Sequence, residues 1–238
     1  MLAETGKTVR ELVLENPAAA RVFEKLGIDY CCGGNKPLVE ACSAANLPVD
    51  EVVAALEKAE PVRAVRDWRE ATLSELAQYI VEKHHAFTRD EINRLEQLIL
   101  KVVGVHGKNH PELLRVRSIF RELAQELTMH MMKEEQMLFP YIAEMESAVD
   151  KKRPRPSAMF GTVQNPVRMM MMEHDSAGEG LHGIREATNG FAVPADACVS
   201  YKTLYQALEA FEADLHQHIH LENNILFPRA VKMEDEAF

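Results

Sequence analysis

From about residue 72 onward, apolar residues recur at steps of three and four, the period of a helix with one buried face. Four stretches show it. The first reads Val81, His85, Thr88, Ile92, Leu95, Ile99; a competing stripe on the same stretch reads Ile80, His84, Phe87, Glu91, Leu95. The former is the better core face, so His85 is expected inward and His84 toward the rim. The second stretch carries Ile119, Leu123, Leu127, His130, Glu134, Met137 and Tyr141. The third carries Val163, Val167, Met170, His174, Ala177, Leu181 and Ile184, and the fourth Leu204, Leu208, Phe211, Leu215, His218, Glu222 and Ile225. The first helix is expected to begin near Thr72 and to end by Gly104 and Gly107, and the second to begin at Pro111. A basic, proline-containing connection follows at 150–162, and a loop with Gly190 and Pro194 separates the last two helices. The pattern predicts an all-α fold of two helical hairpins over residues 71–238.

The first 60 residues read as a separate small helical unit. Thr8-Val-Arg-Glu11 fits a capping box, Asn16-Pro17 a second helix start, and Gly27 its stop. Asp29-Tyr-Cys-Cys-Gly-Gly34 is too glycine-rich for a helix and reads as a loop. Further helices are expected after Pro37 and Pro48. So few large apolar side chains make a marginal independent core, so this unit is expected to dock on something. Residues 61–70, charged and containing Pro61, read as the linker.

The polar residues inside the stripes change the picture most. His130-Met-Met-Lys-Glu134 is followed by Leu138-Phe139-Pro140, and His218-Ile-His-Leu-Glu222 by Leu226-Phe227-Pro228, an offset of 88 residues throughout. Residues four apart share a helix face, so each copy presents an imidazole beside a carboxylate. His85 and His174 lie 45 and 44 residues before His130 and His218. Each predicted hairpin therefore brings one His on its first helix and a His–Glu pair on its second. Burying carboxylates without partners is costly. A closed network of His–Glu hydrogen bonds would answer that for one site, but repetition of the set in both halves points to metal ions, which neutralise the charge directly. Four imidazoles and two carboxylates able to bridge suit a pair of iron or manganese ions. The spacing differs from the Glu-x-x-His of ferritin-like bundles, and no His-Glu-x-x-His zinc motif occurs.

On these residues, together with Asp29-Tyr-Cys-Cys-Gly-Gly34, Glu173-His174-Asp175 and Leu221-Glu-Asn-Asn, the chain resembles the iron–sulfur cluster repair di-iron proteins, also called repair-of-iron-centres proteins. The resemblance implies a hemerythrin-like four-helix bundle behind a small N-terminal helical domain. It implies two non-haem iron ions with His85, His130, Glu134, His174, His218 and Glu222 as ligands, Glu134 and Glu222 bridging. That is one histidine fewer than oxygen-carrying hemerythrins have, which suggests exchangeable coordination. The implied function is repair of iron–sulfur clusters damaged by nitrosative or oxidative stress, by supplying iron. Reduction of nitric oxide, or non-catalytic sensing of gas or iron, are the alternatives. The implied partners are damaged iron–sulfur proteins, nitric oxide or oxygen as small ligands, and an electron donor; a homodimer is left open.

Cys31 and Cys32 precede a helix start, where a thiolate is favoured. They are expected near the bundle, in a redox or iron-transfer role. Cys42 and Cys198 read as ordinary, and four cysteines make no disulfide scaffold. His216 and His220 flank His218 at two residues on either side and are expected on a solvated face, as is His182; His106 and His110 are expected exposed in a loop. Met169–Met172 reads as core packing around His174, with its outer members at a helix contact. A net charge of −10 argues against nucleic-acid and anionic-membrane partners. With no long apolar run and no apolar leader in the first residues, a cytoplasmic location is expected.

Overall fold

The computed structural model describes residues 6–59 and 67–238. Residues 61–66 of the expected linker lie outside the described residues. The N-terminal unit consists of α1 (Val9–Glu15), α2 (Ala18–Leu26), α3 (Leu38–Ala44) and α4 (Val49–Glu57). Thr8 and Glu11 form the expected capping box, and Gly27 closes α2 with a left-handed φ of 67°. Phe23, Tyr30, Leu38, Cys42 and Val52 are among the residues that build a core for this unit.

Four long helices follow. In α5, Leu73–Tyr79 runs through a π-helical turn, Ile80–His85, into Ala86–His106. In α6, Glu112–Lys133 passes through the π turn Glu134–Leu138 into Phe139–Asp150. Helix α7 is an uninterrupted Gln164–Ala187. Helix α8 repeats the plan of α6: Val199–Leu221, π turn Glu222–Leu226, then Phe227–Ala237. Helix α5 packs against α6 and α8, and α6 packs against α7.

The π turns revise the predicted stripes. On α5 neither competing stripe is right alone: Ile80 is buried and so is His85, a step of five that only a π turn allows. Val81 is partly buried, and His84, expected at the rim, is buried too. On α6 Met137 is 49% exposed and Leu138 takes the inward place, because the wide turn shifts the phase of the face. In α6 and α8 each π turn ends two residues before Pro140 or Pro228. Proline has no N–H for the i−4 carbonyl and crowds it, and a widened turn just ahead relieves both defects. The uninterrupted stripe of α7 is buried as expected.

The bundle has two apolar cores. Leu95, Phe120, Leu123, Leu181, Leu204 and Phe211 belong to one, Leu76, Ile80, Ile142, Val167, Met170 and Leu226 to the other. Along every long helix the stretch between these two cores carries the polar inward residues: His84 and His85, His130 and Glu134, His174, and His218 and Glu222. The candidate site is thus a polar layer across an otherwise apolar bundle.

Candidate metal centre

The structure gathers His85, His130, Glu134, His174, His218 and Glu222 into two overlapping donor sets. His85 and His218 form one with both glutamates, and His130 and His174 form the other with the same two glutamates. Each set draws one histidine from each hairpin. The Nε2 atoms of His85 and His218 stand 3.1 Å apart, as do those of His130 and His174. Glu134 Oε2 lies between the pairs, 3.4 Å from His85 Nε2 and 3.3 Å from His130 Nε2. Glu222 spreads its two oxygens, Oε1 at 3.0 Å from His218 Nε2 and Oε2 at 3.0 Å from His174 Nε2.

Three of the four imidazoles are oriented from behind. His85 Nδ1 meets Glu135 at 2.6 Å, His130 Nδ1 meets Glu173 at 2.9 Å, and His174 Nδ1 meets Asn223 Oδ1 at 2.8 Å. Arg89 and Lys133 pair in turn with Glu135 and Glu173. An acceptor on Nδ1 fixes the ring and turns Nε2 toward the centre, as metal-ligating histidines are usually held. Phe139 stacks on His85 and Phe227 on His174, so the Phe of each Leu-Phe-Pro walls the first histidine of its own hairpin. His218 has no partner on Nδ1 among the described residues. His84 stacks parallel to it and turns its own Nδ1 to Asp214 at 3.1 Å.

The electrostatics fit a cation. Glu134 and Glu222 are wholly buried, and neither Glu134 oxygen accepts a hydrogen bond. Burial and the mutual repulsion of the two groups push Glu134 upward, but His130 and His85 outweigh them and hold it below its ordinary value. Burial likewise opposes charge on Glu222, and His218 and His174 reverse it. Burial would depress His130, yet Glu134 and Glu173 raise it to about 10. Without a cation the carboxylates are balanced by protons on His130 and His85, whose pKa values are raised. A metal ion takes the place of those protons, so deprotonated ligands and metal binding go together.

The N-terminal unit is seated on this centre. The side chain of Asp29 accepts from the backbone N–H of Cys31 at 2.9 Å, Cys32 at 3.0 Å and Gly33 at 2.8 Å, which winds the loop tightly. Tyr30 is buried against His220 and His216 of α8. Asn224 Nδ2 donates to the Tyr30 carbonyl at 3.3 Å, and Arg10 donates to the Asn224 carbonyl at 2.7 Å. A Cβ on Gly34 would come within 2.7 Å of the Tyr30 carbonyl oxygen, so this close approach requires glycine. Cys32 Sγ reaches within 3.6 Å of the backbone oxygen of His174.

Residues 76–230 match the hemerythrin HHE cation-binding domain, and residues 5–60 match a domain of unknown function, DUF542. The iron-sulfur cluster repair protein YtfE of Pectobacterium atrosepticum is 37% identical over 239 residues, covering 98% of this chain and all of the relative. The protein of the same name from Escherichia coli is 36% identical over 233 residues with the same coverage. The chain belongs to the iron-sulfur cluster repair YtfE family. The YtfE-family chain thus carries a hemerythrin-like cation-binding domain whose buried His and Glu groups could hold metal.

Several residues in this YtfE-family chain stand differently from the sequence expectation. His220 is buried rather than solvated, because the N-terminal unit covers that face of α8. Burial, then the charge of Arg10, push its pKa down to about 4, so its neutral Nδ1 accepts from Asn224. The i, i+4 run His216, His220, Asn224 was the available signal for this docking face. His106 and His110 are partly buried: His106 lies 3.1 Å from Cys198 Sγ, and His110 pairs with Glu112 and Asp196. His182 is exposed as expected. Cys31 and Cys32 are free thiols with sulfurs 3.9 Å apart. The hydrogen bond to Cys32 and burial push Cys31 up, away from the thiolate expected of a helix start. Of the methionine run only Met170 is buried; the other three face outward, since four consecutive residues cannot share one helix face. Glu135 and Asn223, which orient two of the imidazoles, carried no periodic signal, since both lie within π turns.

No helix among the described residues is long and apolar enough to cross a membrane.

Proposed function

We propose that the chain repairs iron–sulfur clusters with two iron ions held in the polar layer of its bundle. His85 and His218 would hold one ion and His130 and His174 the other, with Glu134 and Glu222 bridging both. The observation that carries this is the pair of donor sets sharing the same two buried carboxylates. Such a shared set fits two ions closely spaced, and mixed imidazole and carboxylate donors suit iron. Bound iron would supply a redox-active, exchangeable source of metal for damaged clusters. The names of the relatives favour repair over nitric oxide reduction or sensing. The protein side of the work is to balance charge, hold the imidazoles through Glu135, Glu173 and Asn223, and seat the layer between the two apolar cores. A domain division near 1–60, 61–70 and 71–238, a cytoplasmic location and damaged iron–sulfur proteins as clients complete the reading.

Elemental analysis with the visible spectrum tests it. The expected outcome is about two irons per chain with oxo-bridge absorption, from a site of this donor set. Zinc alone, or no uptake of ferrous iron offered anaerobically, overturns the di-iron reading.

Cys31 and Cys32 are assigned a transfer role. Support comes from their free state, from the contact of Cys32 with the backbone of His174, and from their grouping with Asp29 as a further set able to hold a metal. Cys31→Ser with Cys32→Ser is expected to leave iron loading intact and to slow restoration of activity in a damaged iron–sulfur enzyme. Undiminished restoration would remove the cysteines from the mechanism.

A further inference from the structure

Helices α6 and α7 leave between them a cavity of about 600 Å³ that reaches His130 and His174 from the protein surface. Met129, Met169 and Met172 line it. These side chains are 53%, 55% and 72% exposed, although the chain also has methionines that are fully packed, such as Met145. Met169 and Met172 stand three apart on one helix and so share a face, while Met129 comes from the facing helix. A groove that only needed apolar area would be served by leucine or valine. What thioethers add is a neutral, soft, polarizable donor on a flexible arm.

We infer that Met129, Met169 and Met172 form a binding site for a soft monovalent ion, Cu(I), at the mouth of the cavity above His130 and His174. Thioether ligands select Cu(I) over the harder ions that imidazole and carboxylate take. Three neutral donors leave a single positive charge; Glu126 lines the same cavity and faces it with negative charge, while Lys133 and Glu173, also in the lining, are paired with each other. The cavity is then graded, soft sulfur at the mouth and nitrogen and oxygen at the floor. A thioether set at the opening intercepts copper in its reduced form before it reaches the floor, and lets ferrous iron pass. Copper binding here does not depend on what metal the polar layer holds.

The test is anaerobic titration of metal-loaded protein with Cu(I) against bicinchoninate as a coloured competitor. It is run in a Cys31→Ser, Cys32→Ser, Cys198→Ser background so that thiols do not compete. The expected result is retention of a single equivalent of Cu(I) per chain, with sulfur scattering in the X-ray absorption of the copper. Met129→Leu with Met169→Leu and Met172→Leu is expected to weaken binding by more than about tenfold, as loss of ligands requires. Leucine conserves volume, and circular dichroism checks that the fold is kept. Met172→Leu alone, at the most exposed of the three, is expected to weaken binding less. Equal affinity with and without the three methionines overturns the inference, as does copper scattering from nitrogen and oxygen alone.

Discussion

At the scale of single residues, the two central glutamates do different work from the carboxylates that surround them. Glu135 and Glu173 sit behind the imidazoles and keep contact with Arg89 and Lys133. Glu134 and Glu222 have only imidazoles and each other. Glu134→Ala or Glu222→Ala removes one of the two groups common to both donor sets and leaves four imidazoles around a single carboxylate. Each is expected to lower bound iron by about half or more, because ligand loss in a site of this kind costs both ions. Full iron content in either variant, measured by elemental analysis, would end its role as a bridge. A histidine variant, by contrast, would remove a donor from one set only.

At the scale of elements, π turns and helix ends decide the geometry. The stripes of α7 and α8 were legible because α7 is regular throughout and α8 is regular up to Glu222. On α5 and α6 a period of 3.6 could not choose between Ile80 and Val81, or between Met137 and Leu138, because the true step there is wider. The prolines at 140 and 228 marked two of these turns in the sequence; the turn at Ile80–His85 has no such mark. The docking face of α8 was hidden for a different reason. A polar i, i+4 run reads as solvated until a second unit is known to cover it. Another element boundary depends on pH. His110 joins the start of α6 to the loop before α8, 2.9 Å from Glu112 and 3.1 Å from Asp196. Asp196 and then Glu112 raise its pKa above 6.5. The clamp is therefore complete below the unfolded value and is lost as pH rises through the raised folded value. Histidine titration by NMR should show a midpoint above 6.5 that falls in Asp196→Asn, with faster amide exchange at the start of α6 in alkaline buffer. A wild-type midpoint at or below 6.5 would contradict it.

At the scale of the whole molecule, the polar layer and the two apolar cores make one mechanical unit. Every long helix contributes to all three. Each donor set draws on three helices, α5, α6 and α8 for one and α6, α7 and α8 for the other, so that ions in both would tie all four; the N-terminal unit adds contacts through Tyr30, Arg10 and Asn224. Binding that favours the folded state stabilises by about 4 kcal/mol at a thousandfold excess over Kd, which for a chain of this size is a shift of about 10 °C in Tm. Chelation is expected to lower Tm by that order and iron to restore it, measured by calorimetry under anaerobic conditions. An unchanged Tm would mean that the layer is held by its own protons and hydrogen bonds.

The crossing of ligands between hairpins has a historical consequence. The two hairpins repeat one motif at a fixed offset, yet neither completes a donor set, since each set takes one imidazole from either hairpin. An ancestral gene encoding one hairpin would have made a protein unable to close the site alone. It would have worked only as a pair of identical subunits, the symmetry axis passing between the carboxylates. Tandem duplication and fusion turn that pair into a single polypeptide, after which the halves are free to diverge. The break in symmetry is visible in the present chain: His84 beside one set, a methionine-lined opening beside the other.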